Sequence, residues 1–285
     1  MDKVKIAWYG KHFGEEPPLV GSSSSFPGEK RFGAGTIFFS DCNLHCVFCQ
    51  NYQISQEKIG KEFSARELTD IMLELQEEGA LNIDLVTPTL WWRSLKEAII
   101  LAREDGLVIP TIWNSNAYEK LRIIQEMNGL VDIYLPDFKY VDDKLAVKYS
   151  NAPGYSRLAE EAIKEMYRQV GNLLIKDGIA RKGLIVRHLI LPGYLDDSFA
   201  VLEKIAAIDN NIYLSLMIQY YPAYRSYEFP EIHRRLTKDE VKYVEQKRKE
   251  MGLRNGWTQE IDSGDMLLPD FREGNPFDSH TETSV

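Results

Sequence analysis

The chain is poor in cysteine: three among 285 residues, all between positions 42 and 49. An odd number so confined argues against a disulfide framework and fits a reducing compartment, so a cytoplasmic location is expected. No run of about 18 apolar residues occurs, which removes a membrane-spanning helix from consideration. The opening MDKVKIAWYGKHFGEEPPLVG has no apolar signal-peptide stretch either. A basic surplus is also missing: 34 Lys and Arg stand against 43 Asp and Glu, a net charge of −9. A dedicated nucleic-acid binder carries the opposite balance, so neither nucleic acid nor a membrane is an expected partner. The local basic stretches, Arg234-Arg235 and Lys247-Arg248-Lys249, read as solvated faces. GxGxxG, Walker A and GxSxG motifs are absent, which weakens dinucleotide, P-loop and hydrolase readings.

What is present is a soluble-protein composition, 44% hydrophobic and 11% aromatic, enough for one large domain. Six short apolar runs read as strands: Thr36–Phe39, Asn82–Val86, Val108–Trp113, Val131–Leu135, Leu184–Leu189 and Ile212–Ile218. Most are continuously apolar, the pattern of strands buried on both faces of a parallel sheet. Helical stripes fall between them. Ser64-Ala-Arg-Glu67, Ser94-Leu-Lys-Glu97 and Thr237-Lys-Asp-Glu240 are capping signatures, and Gly79 is a helix stop. Strand and helix alternating about six times, with right-handed crossovers, predict an α/β single domain. A full eight-stranded barrel uses about 250 residues. The expected class is therefore a partial (β/α)6 TIM-like open barrel, with a doubly wound sheet as the alternative. Residues 1–33 read as an irregular N-terminal extension, 34–260 as the core and 261–285 as a C-terminal extension ending in a frayed tail, GNPFDSHTETSV.

The cysteines form the pattern C-x3-C-x2-C at Cys42, Cys46 and Cys49. Three readings are open. They are small buried hydrophobes, although Asp41, Asn43 and His45 between them suit a polar loop. They are part of a zinc site, which needs a fourth ligand such as His45, His12 or His188. Or they hold an iron–sulfur cluster, whose sulfurs converge well from a short loop. In a four-iron cluster three thiolates leave one iron open to an exogenous ligand, the logic that separates open catalytic sites from closed structural ones. The loop directly follows the first core strand, on the face where barrel enzymes carry their active sites.

CNLHCVFC resembles the C-x3-C-x-aromatic-C motif of the radical S-adenosylmethionine superfamily, with Phe48 at the aromatic position. HFGEEPPLVG followed by GTIFFSDCNLHCVFCQNYQIS resembles the branch related to pyruvate formate-lyase activating enzyme, over the chain through about Trp257. The resemblance implies a [4Fe-4S] cluster on Cys42, Cys46 and Cys49, with S-adenosylmethionine chelating the open iron. Reductive cleavage would then give methionine and a 5′-deoxyadenosyl radical for hydrogen abstraction, fed by a reductant such as flavodoxin or ferredoxin. The partner implied is a protein or peptide substrate, including activation of a glycyl radical enzyme; modification of a small molecule is the alternative. The family's Gly-Gly-Glu after the second strand is replaced here by Val86-Thr87-Pro88-Thr89-Leu90, so the hydroxyls of Thr87 and Thr89 are the implied substitutes. Asn114-Ser115-Asn116 resembles an Asp-Thr-Asn-Gly segment, which brings Asn114 and Ser115 to the cofactor. Asp137-Phe138-Lys139 resembles Asp-x-Lys, where the lysine pairs with the methionine carboxylate. Arg187 is expected to point into the barrel, with His188 a core histidine. Gln219 and Tyr221 stand where relatives have a cofactor-contacting histidine. Phe48, Asn51 and Tyr52 are expected to shield the cluster or adenine.

Overall fold

The structure, a computed structural model, describes residues 3–21, 32–258 and 268–277. Its first element is a strand, β1 (Val4–His12), followed by a one-turn helix, α1 (Pro17–Val20), and β2 (Ala34–Phe39). A short helix α2 (Tyr52–Ser55) and strand β3 (Lys61–Phe63) lead into α3 (Ala65–Glu77). The chain then alternates through β4 (Ile83–Val86), α4 (Trp92–Glu104), β5 (Thr111–Ser115), α5 (Leu121–Glu126), β6 (Ile133–Pro136), α6 (Asp143–Ser150) and α7 (Tyr155–Val170). It continues with β7 (Leu174–Lys176), β8 (Ile179–Leu189), α8 (Leu195–Ile208), β9 (Tyr213–Met217), α9 (Lys238–Glu250) and β10 (Gly256–Thr258).

All six expected strands form, and they pair in parallel in the order β2-β4-β5-β6-β8-β9. The sheet runs from β10 at one edge to β3 at the other without closing, so the architecture is an open α/β barrel. A seventh parallel strand, β10, was not anticipated, because three residues are too few to show a period. Gly256, at φ 113, lets β10 lie against β9, since a side chain there would collide with the Leu214 backbone.

Three further expectations are corrected. The first segment is not irregular where it is described, residues 22–31 lying outside the described residues: β1 pairs antiparallel with β2 and β3 with β1, covering that edge. Its sequence VKIAWYGKH hid the strand because β1 is only partly buried and carries Lys5, Gly10 and Lys11. Ser94 does not cap a helix. α4 begins earlier, at Trp92, after a 3-10 turn over Thr89–Trp91, and Ser94 is buried within it. Part of the supposed tail is packed: Phe277 lies 4.3 Å from the His12 ring and 5.2 Å from Trp8, and just before the tail Phe271 lies 5.3 Å from Phe38. Residues 259–267 and 278–285 lie outside the described residues. The capping boxes at Ser64 and Thr237 form as expected, each with its glutamate returning to the cap N–H.

The strands separate two apolar clusters. Trp113, Tyr134, Leu184 and Val186 pack outward on the helices. Ile112, Ile133, Leu135 and Ile185 face the interior, and what they pack on there is Leu19 of α1. The N-terminal segment therefore fills the lower barrel. The fully buried Leu19 contributes about 2 kcal/mol by its transfer from water, and the Asn82 side chain donates to its carbonyl at 2.7 Å. This plug sets the position of the two residues just before it, Glu15 and Glu16.

Candidate active site

The cysteine loop leaves β2 through Asp41, whose φ of 71 lies in the left-handed region that Asp tolerates. Its carboxylate accepts from the Cys42 N–H at 2.9 Å and lies 2.8 Å from Lys58. The loop is tied to α6 by backbone bonds from His45 to Ser150 (2.9 Å) and Val47 to Tyr149 (2.8 Å). Every sulfur has a polar partner. The Leu44 N–H and the Asn116 amide donate to Cys42 Sγ, each at 3.4 Å; the Ser150 hydroxyl donates to Cys46 Sγ at 3.0 Å; and Ser55 Oγ lies 3.3 Å from Cys49 Sγ. Donors aimed at sulfur suit thiolates that carry a metal. Without one, burial pushes the Cys42 thiol up to about 12 and Cys49 to about 11, and raises Cys46 as well. A bound cation reverses that preference and releases the protons.

The histidines do not complete a zinc shell. His45 Nδ1 is 2.7 Å from Gln56 Oε1 on the exposed side of the loop. His188 Nδ1 is 2.8 Å from the Phe138 carbonyl, and burial lowers its pKa to about 4, so it is a neutral core histidine as expected. His12 lies beside Glu15, at 3.4 Å. Among the described residues no three His, Cys, Asp or Glu side chains gather closely enough for a single metal ion. A cubane, whose sulfurs sit on separate irons, is the group these thiols fit.

Beside the loop is a cavity of about 260 Å³, bounded by Cys46, Phe48 and Cys49 on one side, by Asp137, Lys139 and Arg187 on another, and by Met217, Gln219 and Tyr221 on a third. Phe48 is buried and tilts against Tyr220 at 5.6 Å. The Arg235 guanidinium lies 5.1 Å over the Tyr221 ring. Asn51 also lines the cavity, while Tyr52 stacks on Tyr224 at 4.9 Å. Gly14, Glu15 and Glu16 line it too, the residues that α1 delivers.

Its charges form one network. Arg187 donates to Asp137 at 2.8 Å, to Asn114 at 2.6 Å and, more loosely, to Glu15 at 3.4 Å. Lys139 donates to the other Asp137 oxygen at 2.8 Å. Asn114 in turn donates to Asp84 at 3.2 Å. Burial alone would raise Asp137, but Arg187 and Lys139 hold it below the ordinary carboxylate range. Glu15 is likewise held down against burial by His12 and Arg187. Glu16 and Asp84 go the other way, raised by burial despite Arg187.

The other residues singled out from sequence do not line the cavity. Thr87 sits at φ 61, a strained value for a β-branched residue, with its N–H on the Asn114 carbonyl at 2.9 Å. Thr89 and Ser115 turn instead to Glu119, donating to its carboxylate at 2.7 and 3.0 Å, and Trp113 adds a third bond at 2.9 Å. Asn114 touches the cavity wall only by accepting from Arg187. Thr89 and Glu119 border a separate hollow of about 530 Å³, with Leu90, Trp92, Arg93 and Tyr118. Sequence reasoning missed Glu15, Glu16, Asp84, Asn116, Glu119, Ser55 and Ser150. Glu15-Glu16, Ser55 and Asn116 lay inside segments quoted for the family resemblance but were assigned no role, and the others carried no local signal.

The model of the Radical SAM superfamily matches residues 36–206. The chain belongs to the radical S-adenosylmethionine superfamily. Members of this superfamily are enzymes that use a [4Fe–4S] cluster and S-adenosylmethionine for radical chemistry, and these are the cofactors that the thiol loop and cavity fit. Among relatives, the chain is 30% identical over 252 residues to the uncharacterized protein MJ0674 of Methanocaldococcus jannaschii, covering 84% of this chain and 66% of that one. It is 25% identical over 184 residues to the pyruvate formate-lyase-activating enzyme of Clostridium pasteurianum, covering 62% of this chain and 69% of that one. The fold is similar to Streptococcus suis SuiB bound to S-adenosylmethionine, with a TM-score of 0.56 at 13% identity. That match covers 79% of this chain but only 50% of SuiB, so the chain spans about half the length of that structure. Among the described residues no helix is long and apolar enough to cross a membrane.

Proposed function

We propose that this radical S-adenosylmethionine protein is an oxidoreductase of activating-enzyme type, with Cys42, Cys46 and Cys49 holding the cluster and S-adenosylmethionine lying in the adjoining cavity. When bound, the two together supply one-electron cleavage of a carbon–sulfur bond and, from it, hydrogen abstraction. The chain's own residues bind, orient and exclude water. Lys139, its side chain only 15% exposed, is assigned to the methionyl carboxylate, since a cation–anion bond gains strength where water is scarce. Asp137 and Arg187 hold Lys139 in place, and Phe48, Gln219 and Tyr221 wall the nucleoside side. Thr89 and Ser115 are withdrawn from cofactor contact by Glu119. The reductant is proposed to be a small carrier such as a flavodoxin or ferredoxin. The hydrogen donor is proposed to be a group on a partner protein or peptide, a reading supported by the likeness to pyruvate formate-lyase-activating enzyme.

The observation that carries the reading is the juxtaposition of three hydrogen-bonded thiols with a cavity containing a paired, buried lysine. Oxygen-free reconstitution should give about four irons per chain, and dithionite with S-adenosylmethionine should then release 5′-deoxyadenosine. Cys42→Ala, Cys46→Ala and Cys49→Ala should each reduce release to background. Release retained in any one of them would overturn the ligand assignment.

A further inference from the structure

The barrel interior next to the cavity holds four carboxyl groups, Glu15, Glu16, Asp84 and Asp137, against two cations, Arg187 and Lys139. Both cations are already engaged: Lys139 by Asp137, and Arg187 by Asp137, Asn114 and Glu15. Asp137 is doubly paired, and Asp84 accepts from Asn114. Glu16 is left over. It is 2% exposed, it borders the same cavity as Cys46 and Cys49, and neither of its carboxylate oxygens has a hydrogen-bond partner among the described residues.

Local chemistry explains why Glu16 cannot satisfy itself. It occupies the N-cap position of α1, where an acidic side chain ordinarily accepts from the second or third backbone N–H of the helix. Here Pro17 and Pro18 follow, and proline has no N–H to give. The next amide, of Leu19, is taken by the Glu16 carbonyl at 2.8 Å. No side-chain capping bond forms. A carboxylate buried without a partner costs several kcal/mol, and packing of Leu19 below holds it in place against that cost. Ser215 Oγ, whose hydroxyl lies near enough to temper the rise of the Glu16 pKa but makes no hydrogen bond to it, is also buried without a partner.

From this we infer that Glu16, with Glu15 beside it, is the receptor for a cationic nitrogen group, an alkylammonium or a guanidinium, lowered into the cavity. Such a group carries both the charge and the N–H donors that Glu16 lacks, and two acids beyond the resident cations leave room for it. Two molecules can present it, and on the proposed function both visit this site. One is S-adenosylmethionine through its methionyl ammonium. The other is a substrate bearing a basic group.

The test uses the cluster-reconstituted enzyme and reads binding, so that it needs no turnover. S-adenosylmethionine affinity is measured by equilibrium dialysis for wild type, Glu16→Gln and the Glu15→Gln/Glu16→Gln double variant, beside an analogue lacking the amino group. Lysine amide and its diacetylated, uncharged counterpart are titrated calorimetrically into enzyme saturated with S-adenosylmethionine. If the cofactor ammonium is the ligand, Glu16→Gln weakens S-adenosylmethionine about ten- to a hundredfold and leaves the desamino analogue unchanged. If a substrate cation is the ligand, S-adenosylmethionine affinity stays within about twofold, while lysine amide binds wild type and loses about tenfold or more in the variant, and the acetylated form binds neither. Unchanged S-adenosylmethionine affinity together with no charge-dependent binding of lysine amide overturns the inference. Glu16→Asp, which keeps the charge but withdraws it by one methylene, should weaken the same ligand and covers the case in which Glu16→Gln does not fold. A wild-type holoenzyme that binds no S-adenosylmethionine would instead defeat the proposed function, and lysine amide titrated into that holoenzyme alone would still decide this site.

Discussion

Glu119 and Glu16 are both buried, at 2% exposure each, and both stand beside a cavity at the rim of one barrel. Glu119 accepts from Thr89, Trp113 and Ser115, whereas Glu16 accepts from nothing. Burial raises the pKa of both. The larger hollow belongs to the satisfied glutamate and the smaller cavity to the unsatisfied one. If the proposed function holds, size is therefore a poor guide to the reactive site in this molecule. What separates the two regions is whether the buried polar atoms have been answered by the protein itself, because an answered carboxylate stabilises the fold and an unanswered one is available to a ligand.

Breaking the comparison at its structural end should have the largest effect. Glu119→Ala leaves three buried donors without an acceptor and should cost about 3–4 kcal/mol in denaturant unfolding. A loss below about 1 kcal/mol would show that those three bonds do not define this region.

His188 offers a half-answered case: Nδ1 meets the Phe138 carbonyl while Nε2 has no partner. Its folded pKa of about 4 lies below the ordinary 6.5. As pH falls through 6.5 the unfolded chain takes up a proton that the folded chain refuses until about 4. The stability contributed by neutral His188 is thus whole above pH 6.5 and is lost progressively toward 4, by up to about 3 kcal/mol. His188→Gln should flatten that part of the stability profile, and an unaltered slope would place the pH response elsewhere.

At the thiol loop, Ser150→Ala removes the donor to Cys46 Sγ. Loss of that bond should make the cluster potential more negative by about 20–60 mV in a spectroscopically monitored redox titration. No movement would mean that the hydroxyl points elsewhere once the cluster is bound. The smallest stability effect is expected at the functional end: Glu16→Gln breaks no hydrogen bond and should change unfolding stability by under about 1 kcal/mol. A loss as large as that of Glu119→Ala would erase the distinction between the two glutamates.

How much of this was legible beforehand follows from the range of the interactions. The six core strands could be read because strands buried on both faces are continuously apolar, and the caps at Ser64 and Thr237 because they are settled within four residues. β1 escaped because a half-exposed strand that covers an edge tolerates lysines and a glycine. Lys139, Asp137 and Arg187 were singled out from the sequence, and they line one cavity. Thr89 and Ser115 were expected at the cofactor, yet the acceptor that claims them, Glu119, had no motif of its own. Glu15 reaches Arg187 across 172 positions of sequence, a contact that no local pattern announces.

By itself, the sequence determined the alternation that builds an open α/β barrel and the thiol chemistry of the loop after its first core strand. Both are short-range properties, set by periodicity and by three cysteines between positions 42 and 49. Only the tertiary structure decided which carboxyl groups share the interior, and which of them is left unanswered. It did so because α1 folds into the barrel and takes Glu16 with it, and the two prolines that open the helix have no N–H to cap its carboxyl group.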